Sequence, residues 1–346
     1  MLPLISIILP VYNMSGKLPR CIASLTAQTY PNLEFLFVDD GSTDNSVQVI
    51  QQYADSRFRI LRKKNGGVSS ARNEGLRNMR GEYGAFVDPD DTVSPNYIQY
   101  LYDALMAQGT KMSCCWTYEL HEDDVDKPLP DEPHQPAKLA TFDNYDQWGE
   151  MAHVQSYGVL YHHDLLENLR FDEQISYAED TLFYMQAVLA TKRVAYLIDR
   201  LYYYVQWTGS AMHQKYTTKQ YSDVTVWADV CRMTKDVAPL MHQTSMTRYC
   251  FACTRAFYFS FTSEQDCTAL RQDAIKRLRA NWRWVLKMPT QNERRKGLIA
   301  MVSPKLACLM GKKAKEKKRH HRTVRRRVWR CLFRHLRHAN FSIYIQ

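Results

Sequence analysis

The first hundred residues alternate short apolar runs with segments of helical periodicity, and this rhythm constrains the fold more than any other feature. Leu4–Leu9 (LISIIL), Leu33–Val38 (LEFLFV), Phe58–Leu61 and Tyr83–Val87 have strand length. Between them, Leu18, Cys21, Ile22 and Leu25 fall at i, i+3, i+4 and i+7. Val47, Ile50 and Ala54 follow a Ser42/Thr43 cap, and Ala71, Leu76 and Met79 follow the turn Asn65-Gly66-Gly67. Strand, helix, strand, helix predicts an α/β fold: a Rossmann-like, mostly parallel central sheet with helices on both faces.

Further along, Leu120–Lys138 is acidic and proline-rich and reads as a solvated surface loop. Val154–Tyr161 reads as a strand, Glu179–Ala190 as a helix and Arg193–Gln206 as a strand pair. Beyond Thr217 the pattern is helical through Lys287. The expected organisation is a sheet domain over 1–215, a helical lobe over 216–310 and a basic amphipathic tail over 311–346.

With 45% hydrophobic and 24% charged residues, the composition is that of a globular protein. No run reaches the roughly 18 apolar residues that a bilayer span requires. Leu2–Val11 is apolar but lacks a basic flank and a small-residue cleavage site, so no signal peptide is expected. Nine cysteines at irregular spacing, with Cys250–Cys253 as the one CxxC pair, fit reduced thiols in a cytoplasmic protein. The net charge of +10 is uneven: Gly311–His338 holds thirteen Lys/Arg and one acid, a net +12, which leaves −2 for the rest.

In open α/β sheets ligands bind beyond the carboxyl ends of the strands. Here those ends carry Pro10-Val11-Tyr12-Asn13, Asp39-Asp40-Gly41-Ser42, Asn65-Gly66-Gly67 and Asp88-Pro89-Asp90-Asp91. Three carboxylates within four residues repel one another unless a cation neutralises them, and hard oxygen ligands suit Mg²⁺ or Mn²⁺. A helix-capping turn is the competing reading, since Ser94-Pro95 follows. Gly66-Gly67 before a helix opens the backbone to an anion, with Arg72 one turn in. Neither a Walker A loop nor a G-x-G-x-x-G fingerprint is present.

SIILPVYN at 6–13, VDDGSTDNS at 38–46, NGGVSSARNEG at 65–75, AFVDPDD at 85–91 and AEDTLF at 178–183 together resemble family 2 glycosyltransferases of the GT-A fold. The resemblance covers roughly residues 4 to 215. It implies that Asp39 contacts the uracil of a UDP-sugar, that Pro10 and Tyr12 flank the base, and that Asn65 also lies at a base-contacting position. It places Arg72 near the donor and makes Asp88 and Asp90 the DxD pair that holds Mn²⁺ or Mg²⁺ and the donor. Asp180 becomes the catalytic base with Glu179 supporting it, and His213, in GSAMH, completes the metal site as in some members. The Gln-x-x-Arg-Trp motif of processive synthases is absent, and Gln206-Trp207 is not that motif. The expected enzyme is an inverting, non-processive hexosyl- or N-acetylhexosaminyltransferase of surface-polysaccharide or related glycan synthesis. Without the other blocks, Glu179-Asp180 would read as a first-turn acidic pair favouring the helix dipole.

In the tail, Val324, Val328, Leu332 and Leu336 recur every fourth residue among arginines, with Trp329 and Phe333 alongside. A basic helix with such a stripe fits an anionic membrane surface. The expectation is a peripheral enzyme on the inner face of the cell membrane, docked through 311–338, whose acceptor is a lipid-linked saccharide. A helix docked on the helical lobe or on a partner is the rival, nucleic acid is the least favoured partner, and oligomeric state stays open. The alternative function is a non-catalytic sugar-nucleotide-binding or scaffolding protein acting through the tail.

Overall fold

The computed structural model describes residues 1–53, 55–125, 133–144, 155–207 and 216–309. His213 and the tail 311–346 lie outside the described residues. Two compact units are present: Met1–Gln214 with Ser222–Tyr249, and Lys215–Tyr221 with Cys250 onward.

In the first unit, β1 (Ile5–Val11), α1 (Leu18–Thr26), β2 (Leu33–Asp39), α2 (Ser46–Gln52), β3 (Phe58–Arg62), α3 (Val68–Asn78) and β4 (Tyr83–Phe86) follow in order. They build the parallel half of the sheet, in the order β3-β2-β1-β4. Every residue of β1 and β2 is buried, as a strand covered on both faces requires. Gly75 of α3 lets the helix lie on β1, since a Cβ there would come within 2.3 Å of Ile8 Cγ2. Glu34 is buried in β2 but paired: Ser6 Oγ donates to it at 2.5 Å, Arg80 N at 2.7 Å and Arg59 Nη1 at 2.6 Å.

The sheet continues with β5 (Thr92–Val93), β6 (Met112–His121), β7 (Lys138–Thr141), β8 (Val159–His162) and β9 (Arg193–Gln206), in the order β4-β8-β6-β9-β5 with β7 also on β9. Here β8 runs antiparallel to both β4 and β6, while β6 and β9 are parallel. Helices α4 (Tyr97–Gln108), α5 (His163–Leu166) and α6 (Glu179–Thr191) connect these strands, and α7 (Ser222–Thr234) follows them.

Two expectations need correction. Arg193–Gln206 is one fourteen-residue strand, not a pair, because Asp199 points inward and accepts from Gln135 N at 3.2 Å instead of turning the chain. The expected loop over 120–138 lies between β6, which runs through His121, and β7, which starts at Lys138, and its residues 126–132 lie outside the described residues. Helix α2 begins at Ser46, where Asp44 Oδ1 accepts from the Ser46 N–H at 3.0 Å, so Asp44 does the work expected of Ser42/Thr43.

The helical residues continue with α8 (Pro239–Phe259), α9 (Thr268–Ala280), α10 (Trp282–Val285), α11 (Gln291–Val302) and helical residues 304–309. A capping box starts α11: Glu293 N donates to Thr290 Oγ1, and Thr290 N to Glu293 Oε2. Gly297 gives the close approach there, because a Cβ would meet Val285 and Met288 inside 3 Å. None of the eight cysteines among the described residues is disulfide-bonded to another of them. None of the described helices is long and apolar enough to cross a membrane.

Candidate active site

The loops after β1 and β2 are tied together. Asn13, at φ +53°, accepts from the N–H groups of Thr43 (2.8 Å) and Asp44 (3.3 Å), while its own N–H donates to Ser42 Oγ at 3.0 Å. Ser15 N donates to Asp44 Oδ2 at 3.0 Å and Met14 N to Ser46 Oγ at 2.8 Å. Burial alone would raise the Asp44 carboxyl, but the donors from Ser46 and Ser15 outweigh it and lower its pKa to about 2. Pro10 lies buried in β1, and Tyr12 just beyond is 46% exposed, open to a ligand. Asp39 is buried at the end of β2, where one carboxylate oxygen accepts from Ser42 N at 3.0 Å and the other meets Arg62 Nε at 3.3 Å.

The glycine turn differs from its expected role. The Gly67 N–H donates to Asp40 Oδ2 at 2.7 Å and the Gly66 N–H to Asp40 Oδ1 at 3.0 Å, with Lys63 Nζ at 2.6 Å. The anion at the start of α3 is therefore the buried Asp40 carboxylate, so these N–H groups already have their acceptor. Asn65 Nδ2 donates to Asp40 O at 3.0 Å, which fixes the turn beside the end of β2. Asp40 was legible as a strand-end acid, but its partner, 26 residues away, was not.

Arg72, buried in α3, joins the β4 turn to the start of α6. Its Nη2 meets Asp88 Oδ1 at 2.9 Å and its Nη1 meets Glu179 Oε1 at 3.1 Å, while the guanidinium lies 5.2 Å from the Phe171 ring centroid. Burial opposes its charge, but Asp88, Glu179 and Asp180 outweigh that and push its pKa up. Asp180 stands in the first turn of α6 after Ala178 at φ +67°, with Thr181 N donating to its Oδ1 at 2.7 Å. Burial, and then the Glu179 charge, raise the Asp180 pKa to about 7, against the lowering pull of Arg72.

The three acids after β4 divide their work. Asp91 is 1% exposed and turned inward, where its oxygens accept from Tyr202 Oη and Val205 N, both at 2.8 Å. It anchors the turn to β9 and so leaves the cation cluster that the sequence suggested. Tyr202 Oη also accepts from Asp88 N at 3.1 Å. Asp88 and Asp90 retain partly exposed carboxylates, at 23% and 25% of the side chain. Asp90 meets Lys17 Nζ at 3.1 Å, and that ammonium lies 4.7 Å from the ring centroid of Trp207, whose Nε1 donates to Asp90 O at 3.1 Å. Burial first, and the Asp88 charge second, raise the Asp90 pKa. Lys17 and Trp207 carried no signal in the sequence.

Two hard, partly exposed carboxylates on one turn suit a divalent cation. Among the described residues no group of three or more His, Cys, Asp and Glu side chains forms a cation site by itself. Further ligands would come from outside that set, from the donor or from water. His213, the expected third protein ligand, lies outside the described residues.

A mostly parallel sheet with acids, an arginine and two clamped loops at its carboxyl edge is the architecture of a GT-A nucleotide-sugar enzyme. The comparisons agree. Residues 6–170 match the model of glycosyl transferase family 2. The uncharacterized glycosyltransferase EpsJ of Bacillus subtilis is 35% identical over 213 residues, 59% of this chain and 61% of its own. The glycosyltransferase GlyA of Streptococcus pneumoniae is 34% identical over 210 residues, 58% of this chain and 30% of its own. The chain thus spans under two thirds of either relative's length. By fold, the structure of S. aureus TarS 1–349 in complex with UDP-GlcNAc matches with a TM-score of 0.62, at 22% identity over 82% of this chain and 81% of that one. The mannosyltransferase PcManGT from Pyrobaculum calidifontis, in complex with GDP-Man and Mn²⁺, matches at 0.54, with 15% identity over 88% of each chain.

Proposed function

We propose that this protein is an inverting, non-processive glycosyltransferase that moves a hexosyl or N-acetylhexosaminyl group from a UDP-sugar to a saccharide hydroxyl. The observation that carries the reading is the Arg72 junction, which brings Asp88 of the β4 turn and Glu179, neighbour of Asp180, onto one guanidinium. One metal-side carboxylate and the neighbour of the candidate base thereby share one support.

In this reading Tyr12 and Asp39 take the uracil, within the frame that Pro10 and Asn65 help to fix. Asp88 and Asp90 hold Mn²⁺ or Mg²⁺, which when bound offsets charge on the leaving diphosphate. Asp180 accepts the proton of the acceptor hydroxyl as its oxygen bonds to the anomeric carbon and the bond to the diphosphate breaks. A carboxyl with a pKa of about 7 suits a base that works near neutral pH. Glu179 pairs with Arg72 and orients the start of α6. With one base and no enzyme nucleophile, the displacement is single and inverts the anomeric centre. The reading extends to a lipid-linked acceptor, to the tail 311–338 on an anionic membrane and to a place on the inner face of the cell membrane.

The test is UDP release from a panel of UDP-sugars with Mn²⁺, Mg²⁺ or EDTA, beside calorimetric titration of UDP. Release from one UDP-sugar that disappears with EDTA and in Asp90→Ala is the expected result. Absence of both release and UDP binding overturns the proposal.

A further inference from the structure

The charge is divided more sharply than a neutral body with a basic tail. Residues 268–309 hold ten Lys/Arg against Asp273 and Glu293, a net +8. With +12 in 311–338 and +10 overall, residues 1–267 come to −10, since 339–346 carry no charge.

On this basic helical region, large apolar side chains face solvent. Trp282 is 50% exposed, Leu286 46%, Val302 79%, Leu306 49% and Leu309 58%. Arg279 Nε donates to Met301 O at 3.0 Å, which brings the end of α9 against the end of α11. Trp282, three residues past Arg279, and Val302, next to Met301, therefore flank one junction. Leu286 is one helical turn beyond Trp282, and Leu306 is four residues beyond Val302. Cations share the face: the Arg283 guanidinium lies 5.5 Å from the Trp282 ring centroid, and Lys287 Nζ lies 4.6 Å from that of Trp284.

Clustered exposed apolar side chains mark an interaction surface, and their chemistry selects the partner. At a bilayer interface aliphatic tips enter the acyl boundary, indole rings sit at headgroup level, and Lys and Arg meet lipid phosphates. A nucleic acid would engage the cations and Trp282 but leave Leu286, Val302, Leu306 and Leu309 in water. A second copy of the same face would set two strongly positive surfaces against each other. We propose that the face formed by α10, the end of α11 and residues 304–309 docks on an anionic lipid surface. It is separate from the tail 311–338 and does not depend on the glycosyl-transfer reading.

Flotation of the full chain with phosphatidylcholine vesicles, with or without phosphatidylglycerol, tests this. The wild type is expected to float only with phosphatidylglycerol. Trp282→Ser/Val302→Ser and, separately, Arg283→Gln/Lys287→Gln are each expected to lower partitioning about tenfold. UDP release measured without vesicles stays unchanged in both. Lipids with brominated acyl chains quench part of the tryptophan fluorescence, and Trp282→Phe removes that part. Both double variants floating like the wild type would assign binding to the tail alone and overturn the proposal. So would a wild type that binds RNA but not vesicles, or quenching that is the same in Trp282→Phe. If both UDP release and UDP binding are missing in the wild type while flotation holds, the enzymatic reading fails and the lipid face stands.

Discussion

Charge serves opposite ends in the two parts of this molecule. At the sheet edge the charged groups are buried and committed: Asp39 is 1%, Asp40 3% and Arg72 4% exposed, each bonded to fixed partners. On the helical face Arg279, Arg283, Lys287 and Lys305 lie exposed. A charge buried in a network positions other groups and is costly to remove, whereas an exposed one contributes little to folding and acts at longer range on a partner. Substitutions at the sheet edge should therefore alter chemistry or stability, and those on the helical face should alter partitioning alone.

The largest expected effect is on turnover. Asp180→Asn is expected to lower kcat by about 10²- to 10⁴-fold, the range a general base supplies, while UDP affinity by calorimetry stays within about threefold. The pH dependence gives a second readout. The base must be unprotonated, so kcat/KM is expected to fall on the acid side of about pH 7, where the Asp180 carboxyl takes up its proton. The same raised pKa has a stability consequence. The folded protein keeps this proton where the unfolded chain has lost it, so the contribution is full at low pH and fades as pH rises toward about 7. Asp180→Asn should remove that slope from denaturant midpoints measured across pH.

Next comes Arg72→Met, which leaves Asp88 and Glu179 facing each other without their shared cation. A loss of about 3–5 kcal/mol in urea unfolding is expected, against less than about 0.5 kcal/mol for the exposed Arg283→Gln. Both substitutions remove one positive charge, so equal losses would break the comparison between the two regions. Asp40→Ala is intermediate: it strands the Gly66 and Gly67 N–H groups, and about 1–3 kcal/mol of destabilisation should follow.

These residues also show where the sequence was readable. Strands β1 to β4 stood out because strands covered on both faces are uninterrupted apolar runs. Asp39, Asp88 and Asp90 could be found because strand ends are local features, whereas Glu179 and Asp180 were marked only by the family resemblance. Pairings across the chain could not. Asp40 reaches Gly67 over 27 residues, Lys17 reaches Asp90 over 73, and Trp207 reaches Asp90 over 117. Nothing in a linear pattern says which acid satisfies the glycine turn or which of three adjacent aspartates turns inward. Asp91 does so because Tyr202 and Val205 of β9 await it, and β9 itself was obscured by Asp199-Arg200 in its middle.

The smallest expected effect sits at the border of the two kinds of charge. Lys17 and Asp90 are about a quarter exposed, at 29% and 25%, so their ion pair is worth about 0–1 kcal/mol, and Lys17→Met should barely move the urea midpoint. Its effect on cation binding has a definite sign. The ammonium bonds one of the two carboxylates proposed to hold the divalent ion, and a bound cation must displace it or share Asp90 with it. Removing Lys17 takes away both the competitor and the repulsion between like charges. Mn²⁺ affinity, followed by electron paramagnetic resonance of free Mn²⁺, is therefore expected to rise several-fold in Lys17→Met and to vanish in Asp90→Ala. Trp207, within reach of the ammonium, offers an independent signal, since Mn²⁺ binding should change its fluorescence in the wild type more than in Lys17→Met. Weaker Mn²⁺ binding in Lys17→Met would instead mean that the ammonium shapes Asp90 for the ion, and Lys17 would then belong with Arg72 among the charges that position the site.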